Sequence, residues 1–161
     1  MNTKRMGRRR SAFSLIELVI VVVIIAIIGA IAIPKMSRGA AGAGDSALIQ
    51  DLAILRSAID LYNAEHASAP LSTSSTFPDA LTKYTDASGT VSATKTATAI
   101  YGPYLKAVPP CPIGTYKGQT TVVTSGTVGA GAGGWFFTGT DVQANCPSTD
   151  KDSAGTQYNA Y

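Results

Sequence analysis

Two aspartates near the end of the chain have the spacing of a metal-binding loop. Asp150 and Asp152 alternate with other residues in the segment 150–155, like the first carboxylate ligands of an oxygen-coordinating calcium loop. Ala154 occupies the position where a third ligand would help, so the alternative is a solvated, charged tail. The spacing predicts a calcium site at Asp150 and Asp152, and no other cofactor is predicted.

No other residue set is spaced for catalysis. Residues 129–134 match the pattern G-x-G-x-x-G of a pyrophosphate-binding turn, but the aromatic residues 135–137 that follow are typical of a strand rather than the required helix. This run is therefore predicted to be a flexible hairpin loop. His66, the only histidine, lies at the end of a predicted helix, where it favours the helix dipole. The chain is predicted not to be an enzyme.

One carboxylate lies where lipid is expected. Residues 18–33 are uncharged, and a helix from residue 13 to 33 would be about 31 Å long, which spans a bilayer. Glu17 lies near the start of this helix, where a carboxylate in lipid costs on the order of 2.5 kcal/mol at the bilayer centre and less at the interface. A role for Glu17 is therefore expected, the alternative being a tolerated interfacial charge.

Basic residues and no acid precede this apolar stretch. The positive-inside rule places such a flank in the cytoplasm and the rest of the chain outside. Without these residues, eight basic side chains face ten acidic ones, so the overall charge of +3 does not indicate a nucleic-acid-binding surface. The flanking basic residues are Lys4, Arg5, Arg8, Arg9 and Arg10.

Three interpretations compete for the N-terminal region. A secretory signal peptide would be cut after Ala32, and a plain signal anchor would stay uncut, but neither explains Glu17. In the third interpretation, residues 12–18 (Ala-Phe-Ser-Leu-Ile-Glu-Leu) resemble the processing and methylation motif of type IV prepilins. As in that family, the motif is followed by a long Val/Ile/Ala helix with a proline at its end. The resemblance implies that a prepilin peptidase cleaves between Ala12 and Phe13, that the amino group of Phe13 is methylated, and that Glu17 acts in assembly.

The apolar helix is predicted to continue as an amphipathic one. Pro34 lacks an amide and is expected to kink or locally melt the helix between Gly29 and Pro34. Beyond it, an apolar stripe recurs at spacings of four and three residues and is predicted to pack on a sheet before the helix ends near Ala67. Arg56 and Asp60 form an i,i+4 ion pair in this prediction. The stripe is Leu48, Leu52, Leu55, Ile59 and Tyr62.

The C-terminal part is predicted to be a small sheet domain. Its predicted elements are a short helix (78–84), a loop (86–99), a proline-rich extended segment (101–112), three strands (119–124, 134–138 and 141–146) and a hairpin turn at 138–140. The fold is therefore α+β, a long N-terminal helix packed on a small antiparallel sheet. The predicted regions are a basic leader (1–12), a transmembrane or filament-core helix (13–34), its amphipathic continuation (35–67), and the loop region with the sheet domain (68–161).

The two cysteines are predicted to form a disulfide. Cys111 and Cys146 both lie in the outward-facing part, where an oxidising compartment favours a bridge. Their loop of about 36 residues implies roughly 3 to 4 kcal/mol of stabilisation in the chain-entropy model. The alternative is a pair of buried free thiols.

The resemblance extends to the C-terminal part. This arrangement of helix and sheet is the pilin and pseudopilin fold, and residues 102–112 and 134–145 are similar to the major pseudopilin of type II secretion, which binds calcium in its terminal region. The resemblance implies a structural subunit of a type IV pilus-like filament, with a slight preference for the pseudopilus. The alternatives are a type IV pilus pilin for adhesion, motility or DNA uptake, and a secreted or membrane-anchored binding module.

The same resemblance implies partners and a location. The expected partners are further copies in a homo-oligomeric filament, minor pilins or pseudopilins, prepilin peptidase, an inner-membrane assembly platform, and lipid before assembly. No specific nucleic acid is expected. The expected location is the bacterial inner membrane, with the N-terminus cytoplasmic and the C-terminal domain periplasmic, followed by a periplasmic or cell-surface filament.

Overall fold

The computed structural model contains a long helix, a short helix and two small sheets. It describes residues 13–67, 69, 71 and 77–161. For residues 33–38 and 40 it describes only the backbone. The chain divides into two compact units, of which the first ends at Gly39 and the second is Ala40–Tyr161. Helices and sheets together confirm the predicted α+β class. The leader predicted for residues 1–12 lies outside the described residues.

Helix α1 spans Leu15–Glu65. It begins where the Ser14 carbonyl oxygen accepts the amides of Glu17 and Leu18, at 3.1 and 3.3 Å. The backbone is helical at Pro34, so the local melting predicted there is wrong. Proline has a φ near −65° that fits a helix, and its missing amide removes one hydrogen bond among many. The kink predicted at Pro34 stays a prediction.

The apolar stripe on α1 is confirmed as the centre of the core. Its five residues are at most 3% exposed, and they pack in one cluster with residues of a three-stranded sheet and of the short helix. Helical spacings of four and three place these side chains on one face, so the entire stripe is buried at once. The sheet and short-helix residues in this cluster include Phe77, Leu81, Trp135, Phe137, Val142 and Ala144.

Gly44 lets a loop approach α1 closely. A Cβ at this position would lie 2.8 Å from the Ile113 Cγ2 methyl, whereas a Cβ at Gly42, two residues earlier, would meet no described atom within 4 Å. Both glycines are helical, and neither has a positive φ. The two positions therefore differ mainly in the space available for a methyl group.

We expect alanine to have opposite effects at these two glycines. Gly42→Ala should raise the free energy of unfolding by about 0.5 to 1 kcal/mol, because alanine is the better helix former. Gly44→Ala should lower it by about 1 to 2 kcal/mol, because overpacking against Ile113 outweighs that gain. Chemical denaturation of the full chain in detergent measures both values. Equal stabilisation by the two substitutions would contradict a close contact at Gly44.

The strands form two sheets with different topologies. β1 (Tyr84–Thr85) pairs antiparallel with β2 (Val91–Ser92), which lies inside the segment predicted to be loop. In the second sheet, β3 (Val122–Val123) lies beside β4 (Trp135–Phe137), which pairs with β5 (Val142–Ala144). The predicted hairpin between β4 and β5 is confirmed by the pairing of Phe137 with Val142.

The purely antiparallel sheet predicted from the sequence is wrong for one pair of strands. β3 and β4 run parallel, with Val122 opposite Trp135. The chain returns between them through residues 124–134, so the glycine-rich run belongs to a crossover connection and not to the predicted hairpin loop. Parallel strands need a long connection because the chain must travel back before it can enter the second strand.

The remaining predictions for this region are close to the structure. The short helix α2 spans Phe77–Thr82, one residue earlier at its start than expected. The proline-rich segment 101–112 contains no helix and bends at residues 104, 106 and 107. The indole Nε1–H of Trp135 donates to its Pro109 carbonyl oxygen at 2.8 Å. This hydrogen bond attaches the segment to the middle of the core.

Candidate functional site

The first part of α1 can cross a membrane by length and composition. Leu15–Ala32 has a mean hydropathy of 3.2, and none of these residues is buried within the chain. An exposed apolar helix of this length is not stable in water on its own, because its side chains have no apolar partner. It requires a surrounding of lipid or of other apolar helices.

Phe13 and Glu17 lie at the beginning of this helix. Phe13 precedes the first helical residue and is 76% exposed, while Glu17 lies in the first turn and is also exposed. The positive end of the helix dipole favours a carboxylate in that turn. Ala12, on the other side of the predicted cleavage site, lies outside the described residues. The spacing of Ser14 and Glu17 also matches a capping box, a feature that the sequence analysis missed.

The prokaryotic N-terminal methylation motif matches residues 7–33 of the chain. This family model covers the residues on both sides of the predicted cleavage site, Glu17 and most of the apolar helix. The matched motif indicates the type IV pilin and pseudopilin family. The motif implies processing by prepilin peptidase and assembly into pilus-like filaments. The pilin-like chain matches no curated protein and no solved structure with significant similarity.

An ion pair joins Arg56 to Asp141 within the second unit of the pilin-like chain. The guanidinium of Arg56 donates two hydrogen bonds to the Asp141 carboxylate, at 2.8 and 3.1 Å, and one to the Tyr161 carbonyl oxygen at 2.6 Å. Burial raises the pKa of Asp141, but the hydrogen bonds from Arg56 and from the Val142 amide outweigh it and lower the pKa. The predicted pair of Arg56 with Asp60 is therefore wrong, because a fixed bidentate partner lies across the fold.

The two aspartates of the predicted calcium site serve as hydrogen-bond acceptors. Asp150 accepts the amide and hydroxyl of Thr115 at 2.7 and 2.8 Å. Asp152 accepts the Ala154 and Thr156 amides and the Tyr161 hydroxyl, and the Tyr161 bond is the largest cause of its lowered pKa. Calcium needs six to eight oxygens, and the described residues contain no cluster of three or more metal-binding side chains. The two aspartates alone would supply only part of such a shell, and the calcium site at Asp150 and Asp152 stays a prediction.

The predicted disulfide between Cys111 and Cys146 is absent from the structure. Both cysteines are free thiols, and both are buried. The Cys111 thiol donates to the Ile113 carbonyl oxygen at 3.4 Å, and a hydrogen bond with Cys146 lowers the pKa of Cys111. The two side chains thus fill the core as small apolar groups, which is the alternative that buried cysteines commonly adopt.

His66 and Asn145 have structural roles. The His66 ring is buried, stacks on Tyr62 with a centroid distance of 4.1 Å, and lies 2.9 Å from both the Tyr62 and Asp86 carbonyl oxygens. The buried Asn145 side chain accepts the Gly129 amide at 2.7 Å and donates to the Gly133 carbonyl oxygen at 2.9 Å. Asn145 therefore holds the crossover between β3 and β4. In the sequence, Asn145 belonged to the predicted strand 141–146, and only its polarity set it apart.

Proposed function

We propose that the chain is a structural, non-enzymatic subunit that is stored in the membrane and withdrawn into a helical filament. The observation that carries this proposal is the apolar helix Leu15–Ala32, in which no residue is buried and a single carboxylate, Glu17, lies in the first turn. When such a helix leaves lipid, its apolar surface must be buried against other subunits. Contacts between copies that repeat without closing into a ring generate a filament.

The membrane stage of this proposal depends on charge. The five basic residues before Phe13 favour a cytoplasmic N-terminus, so the second unit is placed in the periplasm. We propose that prepilin peptidase removes residues 1–12 on the cytoplasmic side and that an inner-membrane assembly platform then extracts the subunit. Minor pilins or pseudopilins are the other proposed components of the filament.

Between the two machines, we favour the pseudopilus of type II secretion over the type IV pilus. The support is the similarity of residues 102–112 and 134–145 to the major pseudopilin, which is looser than that of the N-terminus. Deletion of the gene distinguishes the two. Loss of secreted enzymes from the culture medium supports a pseudopilin, whereas loss of surface filaments with normal secretion supports a pilus pilin.

The mature N-terminus tests the proposed function. We expect intact mass measurement of the membrane-extracted chain to show the loss of residues 1–12 and the addition of one methyl group on the amino group of Phe13. A chain that begins at Ile33 would instead support the secreted binding module. A chain that retains Met1 would support a plain anchor, and either result would refute the proposal.

A further inference from the structure

Strand β3 has a free edge. It lies at one side of the three-stranded sheet, where β4 is its only strand neighbour among the described residues. The Trp135 amide donates to the Thr121 carbonyl oxygen at 3.3 Å, in a register that places Val122 opposite Trp135. Alternate residues of a strand in a parallel pair direct their main-chain groups to opposite sides. The amide and carbonyl of Val122 are therefore directed away from β4.

These two groups of Val122 have no protein partner although the residue is nearly buried. Val122 is 8% exposed, and no residue in the described part of the chain forms a hydrogen bond with its amide or its carbonyl oxygen. Main-chain groups in such surroundings are normally paired, because leaving them unpaired is unfavourable. The edge at Val122 is therefore suited to a ligand that supplies one acceptor and one donor.

A groove of about 480 Å³ lies beside this edge. Its lining joins residues 120–122 to residues 106–108 of the proline-rich segment, whose main chain also forms no hydrogen bond with another described residue. The second stretch is fixed next to α2, because the Leu105 amide donates to the Leu81 carbonyl oxygen at 2.9 Å. The groove thus exists without a bound partner and borders two stretches of available backbone. Its lining residues on α2 are Pro78 and Thr82.

We propose that this edge groove binds an extended peptide segment of a partner protein, which adds a strand to β3 and places an acidic side chain near Lys106. In strand addition, the main chain of the peptide pairs with the edge, and alternate side chains enter the neighbouring pockets. An extended segment fits better than a helix, because a helix already uses its main-chain groups internally. Val108 and Val122 offer apolar contacts to the side chains that enter the groove.

The charge of the lining favours an acidic segment. Of the described residues that line the edge groove, only Lys106 is charged, and it is exposed and outside the ion pairs of the described residues. The adjacent carboxylate of Asp79 is already paired with Lys83 at 2.8 Å. A carboxylate of the bound peptide would therefore be the counter-ion of Lys106. Such binding would attach a second protein to the subunit without using α1, and so goes beyond the proposed function.

Peptide binding to the full chain in detergent tests this proposal. The probes are synthetic six-residue peptides of alternating threonine and valine, each with one aspartate at a different position, and a matched series with lysine instead. We expect the aspartate series to shift the amide NMR signals of residues 120–122 saturably. The best aspartate peptide should bind about fivefold more tightly than its lysine counterpart, because Lys106 lies at an exposed rim. If no aspartate peptide shifts these signals at millimolar concentration, the proposal is overturned.

Reversal of the groove charge is the matched test on the protein. Lys106→Glu should weaken binding of the aspartate peptide about fivefold and strengthen binding of the lysine peptide by a similar factor. Lys95→Glu is the control, because Lys95 is also exposed but does not line the groove. It should change both affinities by less than about twofold. Equal effects of the two variants would show only a general effect of net charge and would overturn the proposal.

Methylated peptides test the strand pairing without changing the protein. Two versions of the best peptide carry methyl groups on one or the other alternate set of amides, so each loses the donors of one edge. One of them should bind about tenfold more weakly, because its methyl groups remove the donor to the Val122 carbonyl oxygen and hinder its approach. If both versions bind as tightly as the parent peptide, no strand is added and the proposal is wrong.

A second copy of the chain is the competing occupant of the edge groove. Without peptide, we expect the signals of residues 120–122 to be independent of the concentration of the chain. Shifts that grow with this concentration and disappear in Lys106→Glu would show that another copy fills the groove, which would overturn the proposal. All these measurements use the membrane-extracted subunit, so their outcome does not depend on whether the chain forms filaments.

Discussion

Gly134→Ala should lower the free energy of unfolding of the second unit by about 3 kcal/mol or more, enough to unfold a domain of marginal stability. An added methyl group would overlap the Gln119 carbonyl oxygen and lie 2.8 Å from the Cys111 Cβ. Backbone hydrogen bonds prevent Gln119, Cys111 and residue 134 from moving apart freely. The Gln119 carbonyl accepts the Cys111 amide at 2.9 Å, and the Gly134 carbonyl accepts the Asn145 amide at 3.0 Å.

Gly131→Ala is the control for this prediction. Gly131 belongs to the same glycine-rich connection and has a φ of 93°, but no described atom would lie within 4 Å of its added Cβ. The cost there is limited to the left-handed backbone, about 1 to 2 kcal/mol. Urea denaturation of the full chain in detergent compares the two variants with the wild type. Gly134 has no positive φ, so equal losses would contradict the large cost of overlap expected at 134.

Glu17→Leu should reduce recovery of filaments by about tenfold or more while the membrane-stored subunit accumulates normally. After cleavage, Phe13 would carry the new amino terminus, and Glu17 lies in the first turn of α1. In lipid, where the dielectric constant is low, the Glu17 carboxylate of a stored subunit would attract the positive amino terminus of its neighbour. That attraction would set the axial position of each incoming helix. Leucine removes it and makes the membrane anchor more apolar.

Two further variants distinguish this role of Glu17 from a general effect of the helix surface. Ile20→Leu changes a neighbouring exposed side chain without changing charge, and it should assemble like the wild type. Glu17→Asp keeps the charge on a shorter side chain and should restore part of the assembly. Filament counts from electron microscopy, at equal subunit levels on immunoblots, measure all three variants. Normal assembly by Glu17→Leu would exclude the proposed attraction.

The N-terminal half of the molecule could be predicted because its structure depends on local pattern. The apolar run of residues 18–33 determines a membrane-length helix from composition alone, and the matched methylation motif confirms the family that these residues indicated. The stripe from Leu48 to Tyr62 is buried as predicted, because spacings of three and four place residues on one helix face whatever packs against them. The β4–β5 hairpin is local in the same sense, since a short turn joins its strands.

Tertiary structure decided the features that depend on residues far apart in the chain. The sequence offered Asp60 as the nearest partner for Arg56, but the fold brings Asp141 within 2.8 Å in a bidentate arrangement. The alternation of apolar and polar residues in two neighbouring strands is the same whether the strands run parallel or antiparallel. The direction of β3 relative to β4 could therefore not be predicted from its sequence pattern. Asn145 became recognisable as a structural residue only once the crossover lay beside it. Strand direction, ion pairing and the state of the two thiols depend on how separate segments meet in space, whereas periodicity constrains each segment only by itself.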